Sequence, residues 1–356
     1  MRIAIIGVGN GGQTAAGHLS LSGNEVRIYD INKNRLDNIA KNGGIELTNQ
    51  LSGFAKNIVI CSNIEETIKD CKLIIVITTA WGHHKVAADI SDFVEDGQMI
   101  LLIPGYWGAF EFHNIFEKNK VKKDVIIGEY EILPYAVRCI RDGKLDVRGI
   151  KKVVKVAALS SSRTEELYDT VKKIYPNSLK GENILEVDLN NINPMFHPSI
   201  TLFNAGIMEE KKDHFFYPDG TSKRVAHFIQ KIDNERLEIG EKLNLKLSSV
   251  QELLLRWYGV KEKKIYDGIH NNIPYQTGKA PKDLTNHRYI FEDFPYGLVP
   301  LANLARGLEI TTPYIDSLIN TASLFMDVDL RDIGLSLDKL GFSNKDFVSE
   351  ITNFVK

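Results

Sequence analysis

The chain has 356 residues, 43% of them hydrophobic and 25% charged, with a formal net charge of −2 at pH 7. That length suits two domains better than one, and the composition is that of a globular protein. The near-neutral balance removes any general attraction to nucleic acid or an anionic membrane, and the short basic pairs Lys122–Lys123, Lys151–Lys152 and Lys211–Lys212 read as solvated faces.

Met1–Arg2 leads straight into the apolar run Ile3–Ile6 without a cleavage-type stretch, so no secretory signal is expected. The longest apolar runs, such as 73–77 and 99–103, are strand-sized, far short of the ~20 residues of a membrane span. A cytoplasmic protein is the expectation. Strands are predicted over 2–6, 25–30, 73–77, 99–103 and 124–128, alternating with helices over 10–22, 32–41, 63–70, 83–94 and 108–118. The last three strands are rich in Ile, Leu and Val without polar alternation, as in parallel strands covered on both faces. The β-α-β alternation predicts an α/β Rossmann domain, a doubly wound, mostly parallel sheet.

A further strand is predicted over 152–158, then a helix opened by a capping box of Ser162 and Glu165 and carrying Leu167, Val171 and Ile174 on one face. Past about 185 the periodicity becomes helical. Ser249 and Glu252 form a second capping box, before a helix that buries Val250, Leu253, Leu254 and Trp257 and ends at Gly259. Thr312 as cap and Pro313 at the first position open another, along which Ile315, Leu318, Ile319, Ala322, Phe325 and Met326 keep a helical period. The predicted organisation is a dinucleotide-binding domain over 1–185 and an all-α substrate and catalytic domain over 186–356. The three cysteines, Cys61, Cys71 and Cys139, cannot all pair and are expected as reduced, mostly buried thiols. No His, Cys or carboxylate cluster has ligand spacing, so no metal is predicted.

The most informative stretch is Gly7-Val8-Gly9-Asn10-Gly11-Gly12, a G-x-G-x-x-G between an apolar strand and a helix of small residues. Gly7 permits the tight turn, Gly9 lets the backbone approach a pyrophosphate, and Gly12 lets the helix pack on the sheet. Unpaired N–H groups at the helix start, Asn10 and Gly11 among them, then meet the phosphates. Asp30 ends the second strand 23 positions after Gly7, where a carboxylate accepts from the ribose hydroxyls and repels a 2′-phosphate. NAD is therefore favoured over NADP, a preference Arg35 softens. Thr78 and Thr79 follow the third strand, at the ligand-facing end of such a sheet.

Hydride transfer to a carbonyl or imine needs a proton donor, for which histidine is best suited near neutral pH. Of nine histidines, His83 and His84 are adjacent in a ligand-facing loop, where neighbours usually point apart. His18, His113, His214, His227 and His270 have no polar constellation around them. His197 lies in Asn193-Pro194-Met195-Phe196-His197-Pro198, at the junction of the two halves, where a cleft is expected. A second polar knot, Arg288 to Gly297, sets Arg288 beside Glu292 and Asp293. His197 is the candidate acid/base and Asp293 its candidate orienting partner; the alternative for both acids is a helix cap or a surface position.

Several separated segments resemble the opine dehydrogenases, the NAD/NADP octopine and nopaline dehydrogenase group. They are the glycine loop, Pro104–Phe112 with its Glu111-Phe112 end, Glu129–Arg138 with Leu133-Pro134-Tyr135-Ala136, Asn193–Asn204 with its His-Pro pair, and Lys279–Pro300. The resemblance implies a Rossmann domain followed by a helical domain like that of 6-phosphogluconate dehydrogenase. It also implies reductive condensation of a 2-oxo acid, commonly pyruvate, with the amino group of an amino acid. His197 would then be the acid/base, Asp293 its partner, and Arg288, Tyr135 and Asn204 substrate-binding residues. The implied partners are these small molecules, with no nucleic acid or membrane; a homodimer is compatible. Tyr130 and Ile132 stand where family members often carry threonines, and Tyr106-Trp107 where smaller polar or basic residues are usual; the bulky aromatics hint at an apolar substrate side chain, with core packing as the favoured alternative. Two rivals remain open at this level: a simple 2-oxo or 2-hydroxy acid dehydrogenase using a lysine such as Lys279, and a non-catalytic NAD sensor.

Overall fold

Uninterrupted Ile, Leu and Val runs form the buried centre of the first of two units into which the chain divides, Met1–Val187 and Asp188–Phe354. The computed structural model describes residues 1–342 and 347–354. In the first unit the strands are β1 (Arg2–Ile6), β2 (Glu25–Tyr29), β3 (Ile45–Asn49), β4 (Gly53–Ala55), β5 (Ile58–Ile60), β6 (Leu73–Val76), β7 (Met99–Leu102), β8 (Ile126–Tyr130), β9 (Tyr135–Arg141), β10 (Lys144–Ile150), β11 (Val154–Ala158) and β12 (Ser178–Lys180). Eight of them form a sheet in the order β12-β11-β8-β7-β6-β1-β2-β5. Every pairing in it is parallel except β11 with β8. From β1 the chain steps to β2 on one side and later to β6 on the other, so the sheet reverses direction at β1, where such folds bind ligands at the strands' carboxyl ends.

The helices of this unit are α1 (Asn10–Leu21), α2 (Lys33–Lys41), α3 (Ile64–Ile68), α4 (His83–Ile90), α5 (Gly108–Lys118) and α6 (Thr164–Ile174), and α7 (Ile184–Leu189) begins in it and ends in the second. The strand expected over 124–128 lies two residues later, because Asp124 stays outside the sheet and pairs with Arg163. The expected cap of α6 does not form. Ser162 lies in a short 3-10 turn with its hydroxyl against that of Ser160, and the helix begins at Thr164, whose hydroxyl accepts from Ala158 N–H. A second, four-stranded sheet, β4-β3-β10-β9, was not expected. In β10, Leu145 and Val147 are buried while Lys144, Asp146 and Arg148 between them are half-buried, a period of two interrupted by charge.

The second unit is helical: α8 (Asn193–Phe203), α9 (Ala205–Glu209), α10 (Phe216–Gly220), α11 (Lys223–Lys242), α12 (Val250–Tyr258), α13 (Ile265–Asn271), α14 (Arg288–Phe291), α15 (Val299–Gly307), α16 (Pro313–Met326), α17 (Leu330–Ile333) and α18 (Phe347–Phe354). At its centre the buried Arg236 donates to Asp233, to the Leu189 carbonyl and to Asn190, while Asp233 accepts from Val250 N–H. A buried charge is tolerable only when satisfied in this way. The Ser249–Glu252 capping box forms in both directions, and Gly259 ends α12 at φ +79°. Thr312 does not cap α16; its hydroxyl donates to Asp316, and the Glu235 carboxylate reaches from α11 to accept from Tyr314 and Ile315 N–H. Among the described residues no helix is long and apolar enough to cross a membrane.

Candidate active site

Each glycine of the first motif has a distinct reason to be there. Gly7 turns the chain at φ +91°, and a Cβ on it would lie 2.6 Å from the Ile77 carbonyl oxygen. A Cβ on Gly12 would collide with the Gly7 carbonyl, whereas one on Gly9 would point into open space. Gly11 packs against Leu133 and Ile77, and Asn10 is exposed. α1 starts after Gly9 with no side-chain cap, so its first N–H groups face that open space uncapped. Thr78, beside Gly7, holds a buried hydroxyl with no hydrogen-bond partner among the described residues; Thr79 is half-buried and precedes a short turn. An open cradle over a helix N-terminus, with an orphaned hydroxyl at its edge, fits a dinucleotide pyrophosphate.

Asp30 is buried and already engaged. Its carboxylate accepts from Val8 N–H at 2.7 Å, from Asn32 N–H at 2.8 Å and from Arg35 Nη1 at 3.1 Å. Arg35 is itself shared with Asp142 at 3.6 Å. The residue expected to soften the discrimination against a 2′-phosphate is thus held between two carboxylates.

Tyr135, expected at the substrate, is buried in this unit. Its hydroxyl bonds His18 Nδ1 at 2.9 Å and Tyr175 at 3.1 Å, and burial holds its pKa well above the tyrosine range. That network, rather than a free hydroxyl, is what the structure places there. Tyr106 and Trp107, at φ +52° and +64°, are also buried, as is Tyr130, whose hydroxyl meets Ser178. These aromatics are core residues of their unit. Lys151, expected on a solvated face, is instead buried behind the same segment: its ammonium donates to the Leu133 carbonyl at 2.7 Å, and burial lowers its pKa to about 7.

In the second unit, 96 residues of sequence separate His197 from Asp293, yet Nδ1 of the ring lies 2.9 Å from Asp293 Oδ2. His197 projects from α8, a helix with Pro194 in its first turn and Pro198 inside it. Asp293, fully buried, opens a π-helical turn, Asp293–Leu298, continuing from α14. A run with one proline and one glycine such as Phe294-Pro295-Tyr296-Gly297 favours a widened turn because proline supplies no N–H. The aromatic surroundings of the ring were not legible in the sequence. Tyr289 stacks on the imidazole at 4.1 Å, Phe216 meets it edge-on at 5.8 Å, and the Tyr217 hydroxyl lies 3.1 Å from Nε2. The only hint was the run Phe215-Phe216-Tyr217 before Pro218.

Arg288 pairs with Glu292 at 2.6 Å, with its own side chain 41% exposed and that of Glu292 buried. Asn204 spends its amide N–H groups on the Ile200 and Gly220 carbonyls, tying the end of α8 to α10. Lys279, the rival acid/base, is half exposed and faces Asp213. The three cysteines are free, Cys61 and Cys71 buried and Cys139 half-buried. Among the described residues no group of three His, Cys, Asp or Glu could hold a metal ion.

Comparison with known proteins gives a consistent result over the whole chain. Residues 180–326 match the family model of the NAD/NADP octopine/nopaline dehydrogenase α-helical domain, and residues 3–121 match that of the ketopantoate reductase PanE/ApbA. An opine dehydrogenase of Arthrobacter sp. (strain 1C) is 34% identical over 342 residues, covering 96% of this chain and 95% of that protein. An octopine dehydrogenase of Pecten maximus is 23% identical, covering 90% and 88%. Among solved structures, an octopine dehydrogenase in complex with NADH and agmatine superposes with a TM-score of 0.81 at 21% identity, over 100% of this chain and 98% of that one. Another, with NADH and pyruvate, gives 0.77 over 98% of each.

Proposed function

The chain belongs to the opine dehydrogenase family, and from that premise we propose that it condenses a 2-oxo acid, pyruvate in the first instance, with the amino group of an amino acid and reduces the product with NADH. Carbonyl and amine lose water to form an imine, and hydride addition gives an N-(carboxyalkyl) amino acid. The dinucleotide supplies the hydride. Gly7, Gly9 and Gly12 with the start of α1 cradle its pyrophosphate, Asp30 accepts from the ribose hydroxyls, and Thr78 lies at the cradle's edge.

The observation that carries the reading is the buried His197–Asp293 contact. A carboxylate that accepts from Nδ1–H fixes the ring's tautomer, leaves Nε2 as the atom that gives and takes a proton, and stabilises the imidazolium. Protonating the imine nitrogen makes it a better hydride acceptor, and the same ring helps expel the carbinolamine hydroxyl as water. Arg288, restrained by Glu292 but exposed along its side chain, is the proposed clamp for a substrate carboxylate. Asn204 and Tyr135 are proposed to act through the segments they tie down.

The test is NADH consumption with pyruvate, with and without each of the twenty amino acids, run beside His197→Ala. Turnover that requires an amino acid and falls at least about a hundredfold in the variant supports the proposal. Pyruvate reduction indifferent to added amine would sink it in favour of simple 2-oxo acid reduction. NAD binding without turnover on any pair, and an indifferent His197→Ala, would leave a dinucleotide sensor.

A further inference from the structure

Both nitrogens of the His197 ring are engaged. Nδ1 faces Asp293 Oδ2 at 2.9 Å and Nε2 faces the Tyr217 hydroxyl at 3.1 Å. Since the carboxylate can only accept, Nδ1 carries a proton in either charge state, and the Nε2 contact must reverse when the ring titrates. The neutral ring accepts there from the phenol O–H; the imidazolium donates to the phenol oxygen. A hydroxyl can serve in both directions, which an ammonium or a carboxylate cannot.

The hydroxyl is itself held in place. The Tyr217 ring stacks on Tyr275 at 4.0 Å with only 10° between the planes, and meets Phe216 edge-on at 5.0 Å. Burial, then the neighbouring Tyr289 and Tyr258 and the Asp293 charge, keep its pKa well above the tyrosine range, with Arg288 opposing. It therefore remains a neutral phenol. His287 also faces the pair, and burial, with the His197 and Arg288 charges next, lowers its pKa to about 4. Around neutral pH it adds no competing charge.

We propose that Tyr217 is the positioning residue for the acid/base: it occupies Nε2 in the substrate-free enzyme, holding one tautomer and one ring orientation in both charge states, and yields that nitrogen to the substrate. The assignment rests on the reading of His197 as the acid/base. It has a consequence that a merely structural tyrosine would not. In free enzyme the phenol, together with Asp293, bears on how firmly the ring holds its proton, whereas in the substrate complex the substrate takes the place of the phenol. The pH dependence of kcat/KM reports the former and that of kcat the latter.

Tyr217→Phe keeps the stack on Tyr275 and removes only the hydroxyl. The charge-assisted bond to the imidazolium is the stronger of the two it replaces, and the Phe ring offers no compensating solvation. The alkaline limb of kcat/KM should therefore move down by about 0.5–1 pH unit, about a three- to tenfold loss of protonated ring at a fixed pH well above that limb. The alkaline limb of kcat should stay where it is, and kcat itself within about fivefold of wild type. NADH affinity, read by fluorescence titration, should be unchanged, which also reports that the variant is folded. A kcat/KM profile superimposable on wild type overturns the proposal. So does a kcat loss of a hundredfold or more with NADH binding intact, because the phenol would then be passing the proton rather than holding a place.

Should the variant not fold, the ring nitrogens of histidine-labelled wild type give the same answer by nitrogen NMR, with His197→Gln to assign the signal. A hydrogen-bonded Nε2 in free enzyme that changes on adding pyruvate with NAD⁺ is expected, and an Nε2 signal typical of a water-exposed ring overturns the proposal. If His197→Ala keeps full activity, the acid/base reading itself has failed. If His197→Ala is inactive while Tyr217→Phe leaves both profiles unmoved, only the role of Tyr217 has failed.

Discussion

His83 should make the first unit sensitive to acid. It opens α4 with 1% of its surface exposed, and neither ring nitrogen has a hydrogen-bond partner among the described residues. Phe112 lies edge-on to it at 6.3 Å, and a Cβ on Gly108 would press on the ring. With no acceptor to receive an imidazolium proton, burial drives its pKa down from 6.5 to about 3. The unfolded chain binds a proton that the folded one refuses, so stability is greatest above pH 6.5 and declines as pH falls through 6.5 toward 3. Each pH unit inside that window costs about 1.4 kcal/mol, so lowering the pH from 7.5 to 5 costs about 2 kcal/mol through this residue alone. The figure depends little on the folded-state value, because at pH 5 the buried ring is neutral in any case. His83→Leu removes the titration while keeping the volume, at a cost of less than about 1.5 kcal/mol at pH 7.5. The assay is denaturant unfolding of both proteins at pH 7.5 and pH 5, followed by a probe in the first unit. Other titrating groups are common to the two, so the difference between their acid losses isolates His83. Wild type should lose about 2 kcal/mol more than the variant. Equal losses would refute the reasoning and mean that the folded protein accommodates the imidazolium.

Gly9→Ala and Gly12→Ala should separate binding from folding. The first places a methyl where the pyrophosphate is proposed to lie, so NADH affinity by fluorescence should fall at least about tenfold with an unchanged melting temperature. The second drives a methyl into the Gly7 carbonyl and should lose about 1–3 kcal/mol of stability as well as affinity. At the nucleotide's other end, Asp30→Asn should raise the ratio of NADPH to NADH affinity at least about tenfold, because it removes one carboxylate and loosens its hold on Arg35. An unchanged ratio by fluorescence titration would place the discrimination elsewhere. Glu235→Ala should cost about 1–2 kcal/mol by denaturant unfolding, since it leaves two N–H groups of α16 without their acceptor, while Thr312→Ala should cost under about 0.5 kcal/mol.

What was legible in the sequence follows from how local each requirement is. The glycine turn could be read because backbone approach, tight turning and helix-to-sheet packing each demand a missing Cβ at a fixed spacing, and the fold sets an obstacle at Gly7 and at Gly12. The Ser249–Glu252 capping box is satisfied within four residues and forms as expected. The box at Ser162 has the same local signature and fails, because β11 offers Ala158 N–H to the Thr164 hydroxyl and draws the helix start onward. At α16 the local cap loses in the same way to a carboxylate 79 residues earlier in the chain. The four-stranded sheet went unseen because its pairing joins β3 to β10 across nearly a hundred residues, and its charged alternate positions hide the apolar ones.

The acid/base site is the extreme case of non-locality. One ring nitrogen is met by a residue 96 positions away and the other by a residue 20 positions away, on different helical elements. Spacing alone could not have joined them; the polar knot Arg288–Gly297 singles out Asp293 as a candidate partner and the resemblance implies the same pair, but neither points to Tyr217. The reason is chemical. A carboxylate beside a histidine belongs to a recurring motif, but a phenol that serves as donor or acceptor according to the charge of the ring leaves no signature except its position. The His197–Asp293 pair fixes which nitrogen can give up a proton, and the hydroxyl at that nitrogen then bears on how tightly the proton is held before substrate arrives. The two contacts form one proton-binding unit, one half of which is a residue whose sequence neighbourhood is that of core aromatic packing.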